Sequence, residues 1–227
     1  NLATIASDST AITLSAGGRF VFYRYNFGDG LRIYGCDGVN RGFEFDGTVF
    51  TPIKTGMTTD TPNYVWAHKN HLFFAFAGSV QHSGIKTPYA WSVITGAAEL
   101  LIGDNISGFS TEGGSETGGA LAIYARNSIH ILYGTSSSDW NMIKLKDEVG
   151  ARPHSIQQAV HSYFLDDRGI SRLFAVQKFG NFDHSAVSQL LQSWVIERKG
   201  TLNDSCIVRD KNQLRMFFND KYAIYIT

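Results

Sequence analysis

Leu121-Ala-Ile-Tyr-Ala-Arg-Asn-Ser-Ile-His-Ile-Leu-Tyr-Gly134 is the stretch that decides the fold. It consists of an apolar run, a short polar turn near Asn127 and a second apolar run, which is the pattern of a β-hairpin. Two further copies of this pattern turn near Arg168 and Asp220, so the three turns are 41 and 52 residues apart. Repeats of about 40–50 residues built of short antiparallel strands are typical of β-propeller blades.

The same pattern extends towards the N-terminus. Phe43–Phe50 alternates aromatic and polar residues, and Asn70–Ala77 is an apolar run that continues through Gly78-Ser79 into a second strand. The outer strand of that unit is expected at Tyr89–Ile94. The sequence therefore predicts about five hairpins in an all-β, β-propeller-like repeat of antiparallel strands. A β-sandwich is the alternative.

Two glycines mark the expected hairpin turns. Asp46-Gly47 lies between alternating strands and predicts a type I′ turn, which needs positive φ at both central residues. Gly169 follows Asp167-Arg168, where glycine supplies positive φ and aspartate bonds backbone amides. Both glycines are expected at φ > 0.

One segment departs from the β pattern and predicts a helix over 185–198. Its apolar residues follow the i, i+3, i+4, i+7 spacing of a helical stripe. They are Val187, Leu190, Leu191, Trp194 and Val195. Asp183 or Ser185 can cap its start and Gly200 can end it. Such a helix covers part of the sheet structure, or it docks a neighbouring subunit.

Composition indicates one domain of moderate size. The chain has 227 residues, 20 basic and 20 acidic, so its formal net charge is zero and it predicts no electrostatic attraction to DNA or anionic membranes. No apolar run reaches the length of a membrane helix. Residues 1–227 are therefore expected to form one β-propeller-like domain or part of one. The first residue is not Met and the last lies in a predicted strand, which favours a fragment of a longer chain.

Some polar segments are expected to have no binding or catalytic role. Ser110–Gly119 and Gly134–Asp139 are interpreted as flexible loop tips. Lys144, Lys146 and the pair Arg198-Lys199 are interpreted as solvated surface charges.

The two cysteines lie 170 residues apart. A disulfide between Cys36 and Cys206 is possible if the first and last blades meet, but two buried free thiols are expected.

A search for catalytic and metal-binding patterns assigns no catalytic, cofactor-binding or metal-ligating residue. The seven histidines are His68, His71, His82, His130, His154, His161 and His184. His68 and His71 are expected to face opposite sides of a strand. The sequence lacks the zinc-protease, Cys-x-x-Cys, EF-hand, serine-hydrolase and phosphate-loop motifs. We therefore expect no enzyme activity and no cofactor.

Two features bear on a carbohydrate function, and for each a structural interpretation is preferred. Asp167-Arg168-Gly169-Ile170-Ser171 resembles the centre of the sialidase Asp-box, although Leu165 and Arg172 depart from the flanking pattern. The neighbouring Asp166-Asp167 could be paired carboxylates, but a turn is the better interpretation. The arginine cluster and Tyr–Glu pair of sialidases cannot be assigned from the sequence. Tryptophans can stack on sugars, or they can anchor the core or a subunit contact, and the latter role is expected. They are Trp66, Trp91, Trp140 and Trp194.

A family resemblance spans about Arg41 to Thr227. The stretches that carry it are Gly118–Gly134, Gly150–Gln158, Tyr163–Ile170, Phe179–Phe182 and Val208–Phe218. Together they look like the tail proteins of tailed bacteriophages, and are most similar to the nozzle or tail-tubular proteins of short-tailed phages, which contain propeller-like β domains.

The resemblance implies a structural virion protein. It implies a homo-oligomeric ring that contacts other tail proteins and surrounds the DNA channel, with DNA passing only transiently during DNA ejection, and assembly in the host cytoplasm. It transfers no functional residue, because that family has no catalytic motif. The alternatives are a carbohydrate-binding or sialidase-like propeller for host-receptor recognition, and a cellular propeller adaptor.

Overall fold

Short antiparallel strands make up most of the regular structure of this computed structural model. It describes residues 13–113, 119–159, 161–175, 182–187, 191–211 and 213–226. The described strands form five small sheets, and within each sheet the strands pair in the order in which they follow one another along the chain. Such meanders need only short connections.

Four sheets have four strands and the fifth has three described strands. Sheet 1 contains β1 (Val21–Asn26), β2 (Leu31–Cys36), β3 (Phe43–Phe45) and β4 (Phe50–Pro52). Sheet 2 contains β5 (Tyr64–His68), β6 (His71–Phe76), β7 (Ser79–His82) and β8 (Ala98–Leu101). Sheet 3 contains β9 (Ile106–Glu112), β10 (Ala120–Ala125), β11 (Ser128–Tyr133) and β12 (Asn141–Asp147). Sheet 4 contains β13 (Gln157–Gln158), β14 (Ser162–Asp166), β15 (Gly169–Ala175) and β16 (Phe182–Ala186). Sheet 5 contains β17 (Cys206–Asp210), β18 (Gln213–Phe217) and β19 (Ala223–Ile226).

The expected all-β, β-propeller-like repeat is confirmed. The hairpins expected near Asn127, Arg168 and Asp220 are β10–β11, β14–β15 and β18–β19, and each joins the second and third strands of its sheet. The β-sandwich alternative does not fit, because every described sheet is a plain meander without the Greek-key crossings of a sandwich.

The described residues form two compact units. The first contains the described residues up to Ile106 together with Thr135–Trp140, and the second contains Ser107–Gly134 and the described residues from Asn141 onwards. The first has a core under sheets 1 and 2. The second has one core around sheets 3 and 4 and another around sheets 4 and 5. Strands β6 and β10 are buried along their whole length, which explains their uninterrupted apolar sequences.

The two marked glycines have positive φ, as expected, at 104° for Gly47 and 145° for Gly169. The type I′ assignment at Asp46-Gly47 is wrong. Residues 46–49 form a four-residue loop in which the Asp46 carboxylate accepts hydrogen bonds from the backbone N–H groups of Thr48 and Val49. At the turn before Gly169, the backbone N–H of Arg168 donates to the Asp166 carboxylate and not to Asp167 as expected.

The helix over 185–198 is displaced from its predicted position. Strand β16 includes Ser185, which pairs with Arg172 of β15, so the ladder takes the backbone hydrogen bonds and overrides the helical pattern. The helix α1 spans Gln192–Glu197 and is followed by a 3-10 helix over Lys199–Asp204. Neither Asp183 nor Ser185 can cap α1, and Gly200 does not end the helical segment. Leu190 lies outside the described residues.

The expected outer strand at Tyr89–Ile94 is also wrong. Val93–Thr95 forms a 3-10 helix, and the fourth strand of sheet 2 is β8, further along the chain. Ser92 caps this 3-10 helix and Gly96 ends it with a φ of 83°, so capping residues decide the local structure.

Candidate functional site

The outer side of sheet 1 carries an exposed aromatic surface. Two cross-strand rows build it: Phe22 lies opposite Gly35, which lies opposite Phe43, and Ile33 of the next row lies opposite Phe45. We call this surface the aromatic face. It comprises Phe20, Phe22, Ile33, Phe43, Phe45 and Phe50. Phe20 is 44% exposed, Phe22 59% and Ile33 38%.

The rings of the aromatic face support one another. Phe22 stacks on Phe20 with centroids 5.7 Å apart, and it meets Phe43 edge-on at 6.2 Å. Gly35 lies beneath these rings, and a Cβ at this position would overlap the ring of Phe43. The bare glycine therefore leaves room for the Phe43 ring. The aromatic face lines a groove of about 550 Å³, whose only charged lining residue is Arg24. A groove of this kind can bury apolar side chains of a partner.

A polar network lies on the other side of the same sheet. Tyr34 lies opposite Glu44 and donates its hydroxyl to Glu44 Oε2 over 2.7 Å. Arg32 contacts the same carboxylate at 3.4 Å and Asp46 at 3.2 Å. Sequence reasoning could assign no Tyr–Glu pair, and the structure supplies one. The second sialidase feature, an arginine cluster, does not accompany it: Arg32 is the arginine bonded to this pair among the described contacts.

This network borders a cavity of about 480 Å³ that also contains Lys86 and Tyr89. Burial raises the pKa of the Tyr34 hydroxyl, and its hydrogen bond to Glu44 raises it further. Burial and the Glu44 charge raise the pKa of Tyr89 in the same way. Both phenols therefore stay protonated at neutral pH, so they are suited to donating hydrogen bonds and poorly suited to nucleophilic attack.

His68 and His71 lie on the same side of their hairpin, so the expectation of opposite sides is wrong. They pair directly across a two-residue turn in which Lys69 and Asn70 both have positive φ. Opposite residues in an antiparallel pair share a face. His82 completes the cluster, with its ring centroid 4.8 Å from that of His71.

The three histidines are buried and neutral. Burial lowers the pKa of His68 and of His82 to about 4, and it also lowers the pKa of His71. Nδ1 of His71 and Nδ1 of His82 both lie within hydrogen-bond distance of the Ser83 carbonyl oxygen, at 2.6 and 2.9 Å. Groups of His, Cys, Asp and Glu side chains arranged to hold a metal ion are absent from the described part of the chain. All three side chains are buried in the first unit.

Asp167, the aspartate of the Asp-box-like turn, is the centre of an ion network. Its carboxylate accepts hydrogen bonds from Arg126 at 2.7 and 2.9 Å, and it lies 2.6 Å from Arg152 and 3.3 Å from Lys199. Partial burial opposes ionisation, but the Arg126 hydrogen bond and the Arg152 charge outweigh it and lower the pKa of Asp167. The Asp167 carboxylate thus connects its own turn to the segments that carry Arg126, Arg152 and Lys199. It does not form an acid–base pair with Asp166, which bonds the turn backbone.

The four tryptophans pack against the protein, as expected. Trp66 lies on Tyr23, Trp91 stacks on Phe74, and Trp194 meets Phe218 edge-on. Trp140 donates its indole N–H to His82 Nε2.

One expectation about surface charges is wrong. Arg198 is not a solvated charge: its guanidinium lies 3.7 Å from the Trp194 ring centroid and bonds Asp220 at 2.6 Å. Lys199 and Lys144 are both exposed, as expected, and they pair with Asp167 and Asp147 respectively. Cys36 is buried and Cys206 half-buried, and both are free thiols.

Helices long and apolar enough to cross a membrane do not occur in the described ranges.

The described residues of the two segments interpreted as loop tips form specific hydrogen bonds. Ser110 lies in β9 and donates its hydroxyl to Glu112, while residues 114–118 lie outside the described ranges. In the second segment, Asp139 accepts the backbone N–H groups of Thr135 and Ser136. These hydrogen bonds lower the pKa of Asp139 to about 2.

Comparison with known proteins leaves the family open. Neither a family model nor a curated protein matches the chain. Among solved structures, the extracellular domain of a hybrid two-component system from B. thetaiotaomicron is 8% identical with a TM-score of 0.44, over 95% of this chain and 33% of its own length. BBS1N, solved in complex with ARL6DN, is 12% identical with a TM-score of 0.45, over 91% of this chain and 79% of its own. The chain thus spans about a third of the first structure, and at these TM-scores neither likeness carries a functional argument.

Proposed function

We propose that this chain is a structural, non-enzymatic subunit that assembles with further copies through the aromatic face. The observation that carries the proposal is the exposure of Phe20, Phe22 and Ile33 around an apolar groove. Contiguous exposed apolar patches are uncommon on monomers and mark interaction sites. Aromatic residues are enriched in the buried centres of protein interfaces.

The setting we propose is the tail of a phage particle, as a ring of subunits through which DNA passes. The resemblance to nozzle and tail-tubular proteins over Gly118–Phe218 motivates this part. A balance of 20 basic and 20 acidic residues suits a channel, because each phosphate neutralised by Lys or Arg would strengthen DNA binding and slow its passage.

Self-association is the first test. Purified chain is expected to form oligomers by native mass spectrometry and negative-stain imaging, and Phe22→Ser is expected to shift it towards monomer. Phe217→Ser is the matched control, because Phe217 is 40% exposed on β18, outside the aromatic face. A monomeric wild-type chain at high concentration, or equal loss with Phe217→Ser, would contradict the proposal.

A DNA-binding assay tests the proposed setting, and a polysaccharide-cleavage assay tests the absence of catalysis. Duplex DNA is expected to bind weakly at physiological salt, and bacterial polysaccharide is expected to release no sugar. Nanomolar DNA affinity would favour a nucleic-acid binder. Sugar release that Asp166→Asn or Asp167→Asn abolishes would favour an enzyme.

Carbohydrate binding is the second candidate function, and the cavity beside Tyr34 and Glu44 favours it. A buried carboxylate with neighbouring phenols can hydrogen-bond sugar hydroxyls while Tyr89 offers a partly exposed ring. Glycan-array binding that is lost in Tyr89→Ala and retained in Phe22→Ser would support it over self-assembly.

A further inference from the structure

The loop between β7 and β8 presents two aliphatic side chains to solvent. Val93 is 82% exposed and Ile94 97%, and we call this pair the apolar tip. Such exposure shows that none of the residues described by the structure covers them, those of the aromatic face included. Soluble proteins rarely leave adjacent large apolar residues so bare without a binding role.

The apolar tip is held rigidly. Ser92 Oγ accepts the backbone N–H of Ile94, the Thr95 hydroxyl donates to the Ser92 carbonyl over 2.6 Å, and the Gly96 N–H bonds the Val93 carbonyl over 3.0 Å. Trp91 anchors the loop, because its ring stacks on Phe74 in the core. A preorganised tip loses little conformational entropy when it binds.

The surroundings of the tip favour a protein groove over a membrane. The segment Thr87–Ala98 contains no charged residue. Segments that lie on membranes usually combine apolar residues with Lys or Arg for the anionic headgroups. An uncharged tip instead matches an apolar cavity.

The aromatic face supplies such a cavity on the same unit of the chain. Its groove of about 550 Å³ is lined by aromatic rings and Ile33, with Arg24 as the one charge. We infer that the apolar tip of one copy inserts into the groove of the aromatic face on the next copy. This inference rests on the proposed self-assembly and names the two surfaces that would carry it.

Two different surfaces give a head-to-tail contact. Each copy then keeps one free tip and one free groove, so the contact repeats until a ring closes or a filament grows. If the aromatic face instead packed on the aromatic face of a second copy, assembly would stop at a dimer.

Complementation between two variants tests the inference. Ile94→Asp disables the tip and Phe22→Asp disables the groove, and each is expected to weaken self-association roughly 10-fold or more, because one exposed apolar side chain no longer becomes buried. Mixed one to one, the two variants are expected to form a dimer and nothing larger, since one intact tip and one intact groove remain between them. Light scattering after size exclusion reads out the masses.

Controls keep the outcomes distinct. Ile33→Ser is a second groove variant should Phe22→Asp fail to fold, and Val208→Asp, at a 48% exposed residue of β17, is expected to assemble normally.

Normal assembly of Ile94→Asp alongside monomeric groove variants would overturn the tip–groove contact but leave the proposed function standing. Failure of the mixture to dimerise would do the same. A monomeric wild type would overturn the proposed function itself, and binding to lipid vesicles that Ile94→Asp abolishes without changing assembly would assign the tip to membranes.

Discussion

Trp140 donates its indole N–H to Nε2 of His82 over 3.1 Å. The accepting nitrogen carries no proton, so the other ring nitrogen, Nδ1, donates to the Ser83 carbonyl at 2.9 Å. Both ring nitrogens are therefore satisfied only when His82 is neutral. A buried neutral histidine makes the first unit sensitive to acid.

We expect the free energy of unfolding to fall as the pH drops from about 6.5 to about 4. His68 and His82 have native pKa values of about 4, whereas an unfolded histidine titrates near 6.5. Above pH 6.5 both states are neutral and the stability is complete; below it the unfolded state binds protons first. One such histidine contributes a loss of up to about 3 kcal/mol. Urea unfolding at a series of pH values measures this, and a flat profile over this window would contradict it.

Replacing Trp140 with Phe should separate the contribution of its hydrogen bond from that of ring packing. Trp140→Phe is expected to lower stability at neutral pH by about 1 kcal/mol and to flatten the acid dependence, because the neutral form of His82 loses a partner. Trp91→Phe is the matched control: its indole donates to the Pro88 carbonyl, so it should lower stability equally at all pH values. The same urea series distinguishes the two variants.

The Asp167 network is expected to be a major stabilising feature of the second unit. Asp167→Asn leaves Arg152, whose side chain is 8% exposed, without its carboxylate, at a cost of about 2 kcal/mol. Asp147→Asn breaks the exposed pair with Lys144 and should change stability by less than about 0.5 kcal/mol. Equal effects in denaturant unfolding would show that the network is no stronger than a surface pair.

The turn at Gly169 should not tolerate a β-branched side chain. Its φ of 145° is strained for other residues, so Gly169→Val is expected to cost about 1 kcal/mol or more. Gly113 lacks a positive φ and has no described atom within 4 Å of where a Cβ would lie, so Gly113→Val serves as the control. Unchanged melting of Gly169→Val would contradict the turn geometry.

The hairpins were predictable because their signals are local. Alternation and turn residues around Asn127 and Arg168 are enough to specify paired strands a few residues apart. The turn between His68 and His71 gave no such signal, because Lys69 is not a usual residue for positive φ. The sequence alone therefore predicts opposite sides for the two histidines, whereas the structure pairs them directly.

The candidate surfaces needed tertiary information. Phe20 and Phe22 alternate in the sequence as Phe43 and Phe45 do, and this period-two pattern could have indicated a shared face. Whether that face is covered depends on packing, which no local pattern specifies. The partners of Asp167 come from positions far along the chain, such as Arg126, 41 residues away. The helix was displaced because pairing with β15 competed with its own periodicity.

The meander order of the sheets bears on how the chain acquires its structure. Each described strand pairs with the strand before or after it, so most pairing closes loops of only a few residues. Short loops cost little chain entropy to close. Synthesis delivers about 5–20 residues per second, so the 30–50 or so residues of one sheet are complete before the next sheet has been made. The strands of each sheet can therefore pair in the nascent chain while later sheets are still being translated.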